Sequence, residues 1–245
     1  MSNIILQTNN LSKHFDGVYA VDNLDIAFEQ GKITGIIGPN GSGKSTLTNV
    51  LTGIHNIDSG IAAIDGIHLK KIIPHQTPLY GITRTFQEVR LFEQMTVLDN
   101  VLVVITEKNV FGALFSTHTQ LNLKKAEDVL GKVGLWEKRN DLAINLSYGQ
   151  RKLLEIARVL AMDAKIIFFD EPFAGLFKEM IKKVVEIMEE MRSQGKTLIL
   201  IEHNMELIRK LCDYLYVMDE GKLLAHGNPE HVLNERKVVE AYLGE

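Results

Sequence analysis

The chain has 245 residues, 45% of them hydrophobic, a formal net charge of −4 and one cysteine. The length suits one large domain or a domain with a subdomain, and the hydrophobic share excludes a disordered chain. The mildly acidic balance offers no sign of a nucleic-acid binder, and the lone Cys212 excludes an intrachain disulfide and fits a reducing compartment.

Met1–Gln7 lacks the basic stretch and long apolar core of a signal peptide. No apolar run approaches the length of a membrane span, so any link to a membrane is expected to run through a partner. Ile4–Leu6 and Leu24–Phe28 read as short strands separated by the turn pair Asp16-Gly17. The apolar run Ile33–Ile37 reads as a buried strand and Leu47–Leu51 as a helix. Ile61–Leu69 reads as two short strands around Asp65-Gly66. From about Thr96 to Ala161 the pattern is largely helical, with Leu123, Ala126, Val129, Leu130 and Val133 at helical spacing. Residues 107–120 are the least regular and are expected to form an exposed insertion. Ile166–Phe169 and Thr197–Ile201 are apolar on both faces, as buried parallel strands are. Between them Ile181, Val184, Val185, Met188 and Met191 form the apolar stripe of a crossover helix, a packing role for its methionines rather than a cofactor role. Leu207, Ile208, Leu211 and Cys212 continue an apolar pattern that places the thiol in the core. Tyr214–Met218 and Lys222–Ala225 close the chain as a hairpin around Glu220-Gly221.

Between the first buried strand and its helix stands Gly38-Pro39-Asn40-Gly41-Ser42-Gly43-Lys44-Ser45-Thr46, which matches G-x-x-x-x-G-K-[ST] in the strand–loop–helix context that motif requires. Its glycines let the backbone wrap phosphate oxygens at conformations a Cβ opposes, and the loop N–H groups and helix N-terminus face the anion. Lys44 is expected to reach the β- and γ-phosphates, and Ser45 to offer its hydroxyl to Mg²⁺. The second signal is Asp170-Glu171 at the C-terminal end of Ile166–Phe169, where ligands bind in parallel α/β sheets. Asp170 is expected to hold Mg²⁺, and Glu171 to polarise the water that attacks the γ-phosphate. The third is Leu146-Ser147-Tyr148-Gly149-Gln150, with Ser147 as N-cap of an apolar helix. A helix N-terminus with a hydroxyl and a glycine N–H is a second anion site, although an ordinary N-cap shares that spacing.

These three segments, in this order, resemble the nucleotide-binding subunits of ABC transporters. Further positions fit the family pattern: Gln87 in Thr85-Phe86-Gln87 matches the Q-loop glutamine, implying a role in catalysis and at the metal. His203 after Ile201-Glu202 matches the switch histidine and, just beyond a strand near the acids' end of the sheet, is expected to contact the γ-phosphate; Phe15 stands where the family sets an aromatic ring against adenine. The resemblance implies a P-loop NTPase of the α/β class, with a mostly parallel RecA-like core sheet, an antiparallel β subdomain and a helical subdomain. It implies one domain over residues 1–245, with core and β parts at 1–90 and 163–245 and the helical part at about 91–162.

The family resemblance also implies a composite site. Two subunits, identical or different, pair head to tail, so that Ser147, Gly149 and Gln150 of one close on ATP held by the phosphate loop of the other. Transmembrane permease subunits and, indirectly, a substrate-binding protein are the further partners, with the subunit peripheral on the cytoplasmic face of the membrane and no nucleic acid involved.

Gly81–Val97, read Gly81-Ile82-Thr83-Arg84-Thr85-Phe86-Gln87 and onward, and the ending Val238–Glu245 look like ATPases of branched-chain amino acid importers; a lipopolysaccharide-export ATPase shares part of that ending. The leading reading is therefore an ATP-hydrolysing importer subunit. The alternatives are the export-type ATPase, a soluble ABC ATPase acting on nucleic acid or ribosomes, and a non-catalytic, nucleotide-gated dimerisation module, against which Glu171 counts. One position departs from the pattern: Phe177, after Ala174-Gly175-Leu176, stands where the family carries Asp or Asn. Phe cannot make the hydrogen bonds of those side chains, so communication between the paired sites is expected to be altered.

Overall fold

The computed structural model describes residues 3–106 and 117–243. Backbone contacts divide the chain into two compact units: residues 1–84 with 165–171 and 189–245, and residues 85–164 with 172–188.

The first unit holds two sheets. In the antiparallel one, β1 (Ile4–Phe15) pairs with β2 (Val18–Leu24), β3 (Ala27–Glu29) and β5 (Ser59–Ile64), and β5 pairs with β6 (Ile67–Leu69). The other sheet runs β11-β10-β4-β9-β8-β7, built from β4 (Ile33–Ile37), β7 (Ile82–Arg84), β8 (Ile166–Asp170), β9 (Thr197–Ile201), β10 (Tyr214–Asp219) and β11 (Lys222–Gly227). All its pairings are parallel except β10 with β11. Every residue of β4, β8 and β9 is buried, as a sheet covered on both faces requires. Helix α1 (Lys44–Leu51) contributes Leu47, Val50 and Leu51 to a core shared with Leu6, Leu11, Phe28 and Ile64 of the antiparallel sheet and with Ile36, Phe168, Ile201 and Met218 of the parallel one. Behind the parallel sheet, α6 (Met205–Leu211) ends at the buried Cys212, as expected of that thiol. A Cβ on Gly35 would stand 3.0 Å from Cys212 Sγ and 2.8 Å from Leu215 Cδ1; glycine lets that helix end close on β4. Burial pushes the Cys212 thiol up to about 12, so it stays protonated and inert.

The second unit is helical: α2 (Val97–Thr106), α3 (Thr117–Val133) and α4 (Tyr148–Met162) touch one another pairwise. α5 (Lys178–Ser193) begins in it and ends in the first unit. The chain closes with α7 (Pro229–Val232) and α8 (Arg236–Leu243). Of the α3 stripe, Ala126, Val129, Leu130 and Val133 are buried, whereas Leu123 is exposed. Within the irregular stretch, residues 107–116 lie outside those described, and 117–120 open α3.

Two strand expectations need correction. β1 runs on to Phe15, and Leu24–Phe28 is not one strand: β2 ends at Leu24, β3 starts at Ala27, and the Asp25 carboxylate accepts the Asn10 N–H at 2.5 Å between them. The three expected turns are present, each with a left-handed acidic residue followed by a left-handed glycine: Asp16-Gly17, Asp65-Gly66 and Glu220-Gly221.

Candidate functional site

Four neighbouring strands of the parallel sheet, β4, β9, β8 and β7, deliver their C-terminal ends side by side. Beyond β4 comes the phosphate loop, beyond β9 Glu202-His203, at the end of β8 Asp170-Glu171, and at the end of β7 Arg84. That edge is where a parallel α/β sheet takes ligands.

Gly38, Gly41 and Gly43 all have positive φ. A Cβ on Gly38 would lie 2.1 Å from the Met218 carbonyl oxygen, and one on Gly43 2.1 Å from that of Ala20. Glycine is therefore compulsory where β10 and β2 brace the loop. Gly221 N–H donates to the Ser42 carbonyl at 3.1 Å, tying the last hairpin to the same loop. Lys44 Nζ lies inside it, donating to the carbonyls of Gly38 at 2.7 Å and Pro39 at 2.8 Å and to Ser42 Oγ at 3.2 Å. Asn40, Gly41 and Ser45 are exposed and Thr46 half-exposed, while Pro39 is buried.

Asp170 is buried and paired with Arg84, Nη2 to Oδ2, at 3.0 Å. Glu171 adopts φ 47, and its N–H donates to the Ile201 carbonyl at 2.9 Å. Its Oε1 lies 3.2 Å from His203 Nε2. His203 is oriented in turn by its own N–H, which donates to the Glu202 carboxylate at 3.0 Å, and by the start of α6, capped by Asn204. The structure thus brings the phosphate loop, Asp170, Glu171 and His203 to one sheet edge.

Phe15 ends β1 and is 42% exposed. It meets the His55 ring edge-on at 5.1 Å, with the Lys13 ammonium 5.0 Å from its centroid. Asp58 fastens this strand end: its carboxylate accepts the His14 N–H at 2.9 Å and Lys13 Nζ at 2.8 Å. These bonds, the His14 N–H first, hold its carboxyl below the usual carboxylate value. Phe15 is therefore a presented ring, not a core residue. The chain turns from it through Asp16-Gly17 into β2, whose Ala20 touches Gly43.

The remaining expected residues belong to the second unit. Ser147 caps α4 with a complete capping box: Ser147 Oγ accepts the Gln150 N–H at 3.4 Å, and Gln150 Oε1 accepts the Ser147 N–H at 3.1 Å. Gly149 is closely approached by Met180, whose Sδ would lie 2.7 Å from an added Cβ. Tyr148 covers Gly175 in the same way. Gln87 is exposed and follows Phe86, whose N–H donates to Glu155 Oε1 of α4 at 3.0 Å. Burial raises the Glu155 carboxyl from 4.5 to about 7, against the Phe86 N–H and then Lys152, Arg158 and Arg90.

Sequence reasoning missed Arg84 and Glu155. Each left a signal: a guanidinium closing an apolar strand segment, and an acid between Leu154 and Ile156 on an apolar helix.

Comparison with known proteins matches residues 21–174 to the family model described as ABC transporter. It matches residues 222–245 to the branched-chain amino acid ATP-binding cassette transporter model. The probable branched-chain amino acid transport ATP-binding protein LivG of Archaeoglobus fulgidus is 38% identical over 250 residues, 98% of this chain and 95% of the relative. The solved ADP conformation of an ATP-binding cassette of an ABC transporter superposes with a TM-score of 0.85 at 36% identity, covering 99% of both chains. A dimeric ATP-binding cassette in a post-hydrolysis state, bound to ADP and phosphate, superposes with a TM-score of 0.81 at 25% identity, covering 91% of this chain and 98% of the other.

Proposed function

This chain belongs to the ABC transporter family of ATP-binding proteins, and from that premise we propose that it powers a branched-chain amino acid importer from the cytoplasmic face of the membrane. It binds ATP and hydrolyses it. The observation that carries the reading is the sheet edge where the phosphate loop, Asp170, Glu171 and His203 converge. The match at residues 222–245 favours the importer over the lipopolysaccharide-export alternative.

Gly38–Thr46 cradles the triphosphate through backbone N–H groups and the α1 N-terminus, and Lys44 donates to the β- and γ-phosphate oxygens. Ser45 and Asp170 are a hydroxyl and a carboxylate, hard oxygen donors of the kind Mg²⁺ takes beside phosphate oxygens. With Gln87 they are the residues assigned to that ion, which when bound neutralises charge on the β- and γ-phosphates. Glu171 accepts the proton of the attacking water. His203, 3.2 Å away, orients that carboxylate. Phe15 stacks on adenine.

The site is completed in trans. Ser147, Gly149 and Gln150 lie at the N-terminus of a 15-residue helix, where the dipole favours the γ-phosphate of a nucleotide held by a second ATP-binding subunit. Permease subunits supply the path across the membrane. Among the described residues no helix is long and apolar enough to cross one.

The test is recovery from the native membrane followed by reconstitution. Co-purification with two hydrophobic subunits, and ATP-driven uptake of leucine into vesicles carrying the complex, are the expected results. Recovery with ribosomes or DNA instead would overturn the reading.

A further inference from the structure

The Arg84 guanidinium ties together two parts of the phosphate site that come from distant sequence. Nη2 donates to Asp170 Oδ2 at 3.0 Å, while Nη1 donates to Asn49 Oδ1 at 2.7 Å and to Thr52 Oγ1 at 3.1 Å. The side chains of the ion pair are only 9% and 5% exposed. Asn49 lies on α1 and Thr52 caps its C-terminus, so both belong to the helix whose first turn carries Ser45. β7 sets the cation in place: it runs parallel to β8 with Arg84 beside Phe168, two residues before Asp170 on the same face. A planar fork with donors on two nitrogens can bond helix and strand at once, which a lysine ammonium on a flexible stem does much less well.

We propose that Arg84 is a positioning residue for the metal-binding pair, fixing the Asp170 carboxylate relative to α1 and hence to Ser45. The inference rests on the assignment of Asp170 and Ser45 to the metal. Removing such an outer partner leaves both ligands in the chain but lets the carboxylate turn, which lowers metal affinity more than nucleotide affinity. A mere brace of the fold would instead lower stability without singling out the metal.

The test uses the full chain loaded with a non-hydrolysable ATP analogue and Mn²⁺ as the probe, free Mn²⁺ being followed by its electron paramagnetic resonance signal. Nucleotide affinity in EDTA and the melting temperature are measured alongside. In Arg84→Lys, Mn²⁺ affinity falls about tenfold or more, within the range seen for lost outer partners of metal ligands, while nucleotide affinity in EDTA stays at the parent value. Asn49→Leu, which spares the ion pair and leaves the cation tied to α1 through Thr52 alone, shows the same loss in smaller measure and decides the matter if Arg84→Lys does not fold. Mn²⁺ affinity equal to the parent's in these variants, with a loss in Ser45→Ala, overturns the role of Arg84. An unchanged affinity in Ser45→Ala as well overturns the metal assignment beneath it.

Discussion

Glu171 holds a backbone conformation that costs a non-glycine residue on the order of 1–3 kcal/mol, with φ at 47. The Ile201 carbonyl takes its N–H, and Pro172 follows at once, so the peptide on either side is committed. The side chain leaves the strand end toward His203. A β-region backbone would direct it elsewhere. Glu171→Gln keeps the size of the side chain and its capacity to bond His203, but removes the basicity needed to take a proton from water. Turnover is expected to fall by about 10²–10⁴, the usual contribution of a positioned base, while ATP binding stays at the parent level; undiminished turnover in steady-state assays would remove Glu171 from its role. In the proposed site Glu171 acts on the reacting atoms, and Arg84 only through Asp170.

At the scale of elements, α4 joins two functions. Its N-terminus presents Ser147 and Gly149, and about two turns further on Glu155 receives the Phe86 N–H, next to Gln87. Burial favours the protonated form of this acid, raising it from 4.5 to about 7. A carboxyl whose folded value lies above its unfolded one makes the fold lose stability as pH rises from 4.5 to about 7, with the full cost present above that. At about 1.4 kcal/mol per unit the cost is roughly 3 kcal/mol. Glu155→Gln does not titrate, so its melting temperature relative to the parent is expected to climb between pH 5 and pH 8 and then level off; a difference independent of pH would contradict the raised value.

Elements also differ in how far the chain announces them. β4, β8 and β9 are legible because burial on both faces demands unbroken apolar runs. β1 is not: Asn9, Asn10, Ser12, Lys13 and His14 form no alternating pattern. The strand is held instead by partners on both edges, with register shifts along the way. The site divides along the same line. The phosphate loop, Asp170-Glu171 and Ser147–Gln150 are legible because backbone geometry and helix termini impose local spacing. Arg84 and Glu155 acquire their meaning from partners 86 and 69 residues away, which no local pattern encodes.

At the scale of the whole molecule, the proposed site needs two ATP-binding chains, identical or different, and its division of labour can be tested without a membrane on pairs that this chain forms with itself. In that proposal Lys44 belongs to the half that holds the phosphates, Ser147 to the half that closes on them. Lys44→Ala and Ser147→Arg are each expected to abolish turnover alone. In a head-to-tail pair made of one of each, one site joins both defects and the other joins an intact phosphate loop to an intact Ser147–Gln150. Equimolar mixing yields half mixed pairs with one good site in two, so activity returns to about a quarter of the parent's under two-fold pairing. A mixture no more active than the average of its components would mean that each chain keeps both halves to itself. Phe177, 75% exposed, sets the second readout of this experiment. A side chain without hydrogen-bonding groups at that position is expected to loosen the link between the two sites. The single good site of a mixed pair is therefore expected to turn over at nearly the rate of a site in the parent, rather than falling silent with its dead neighbour.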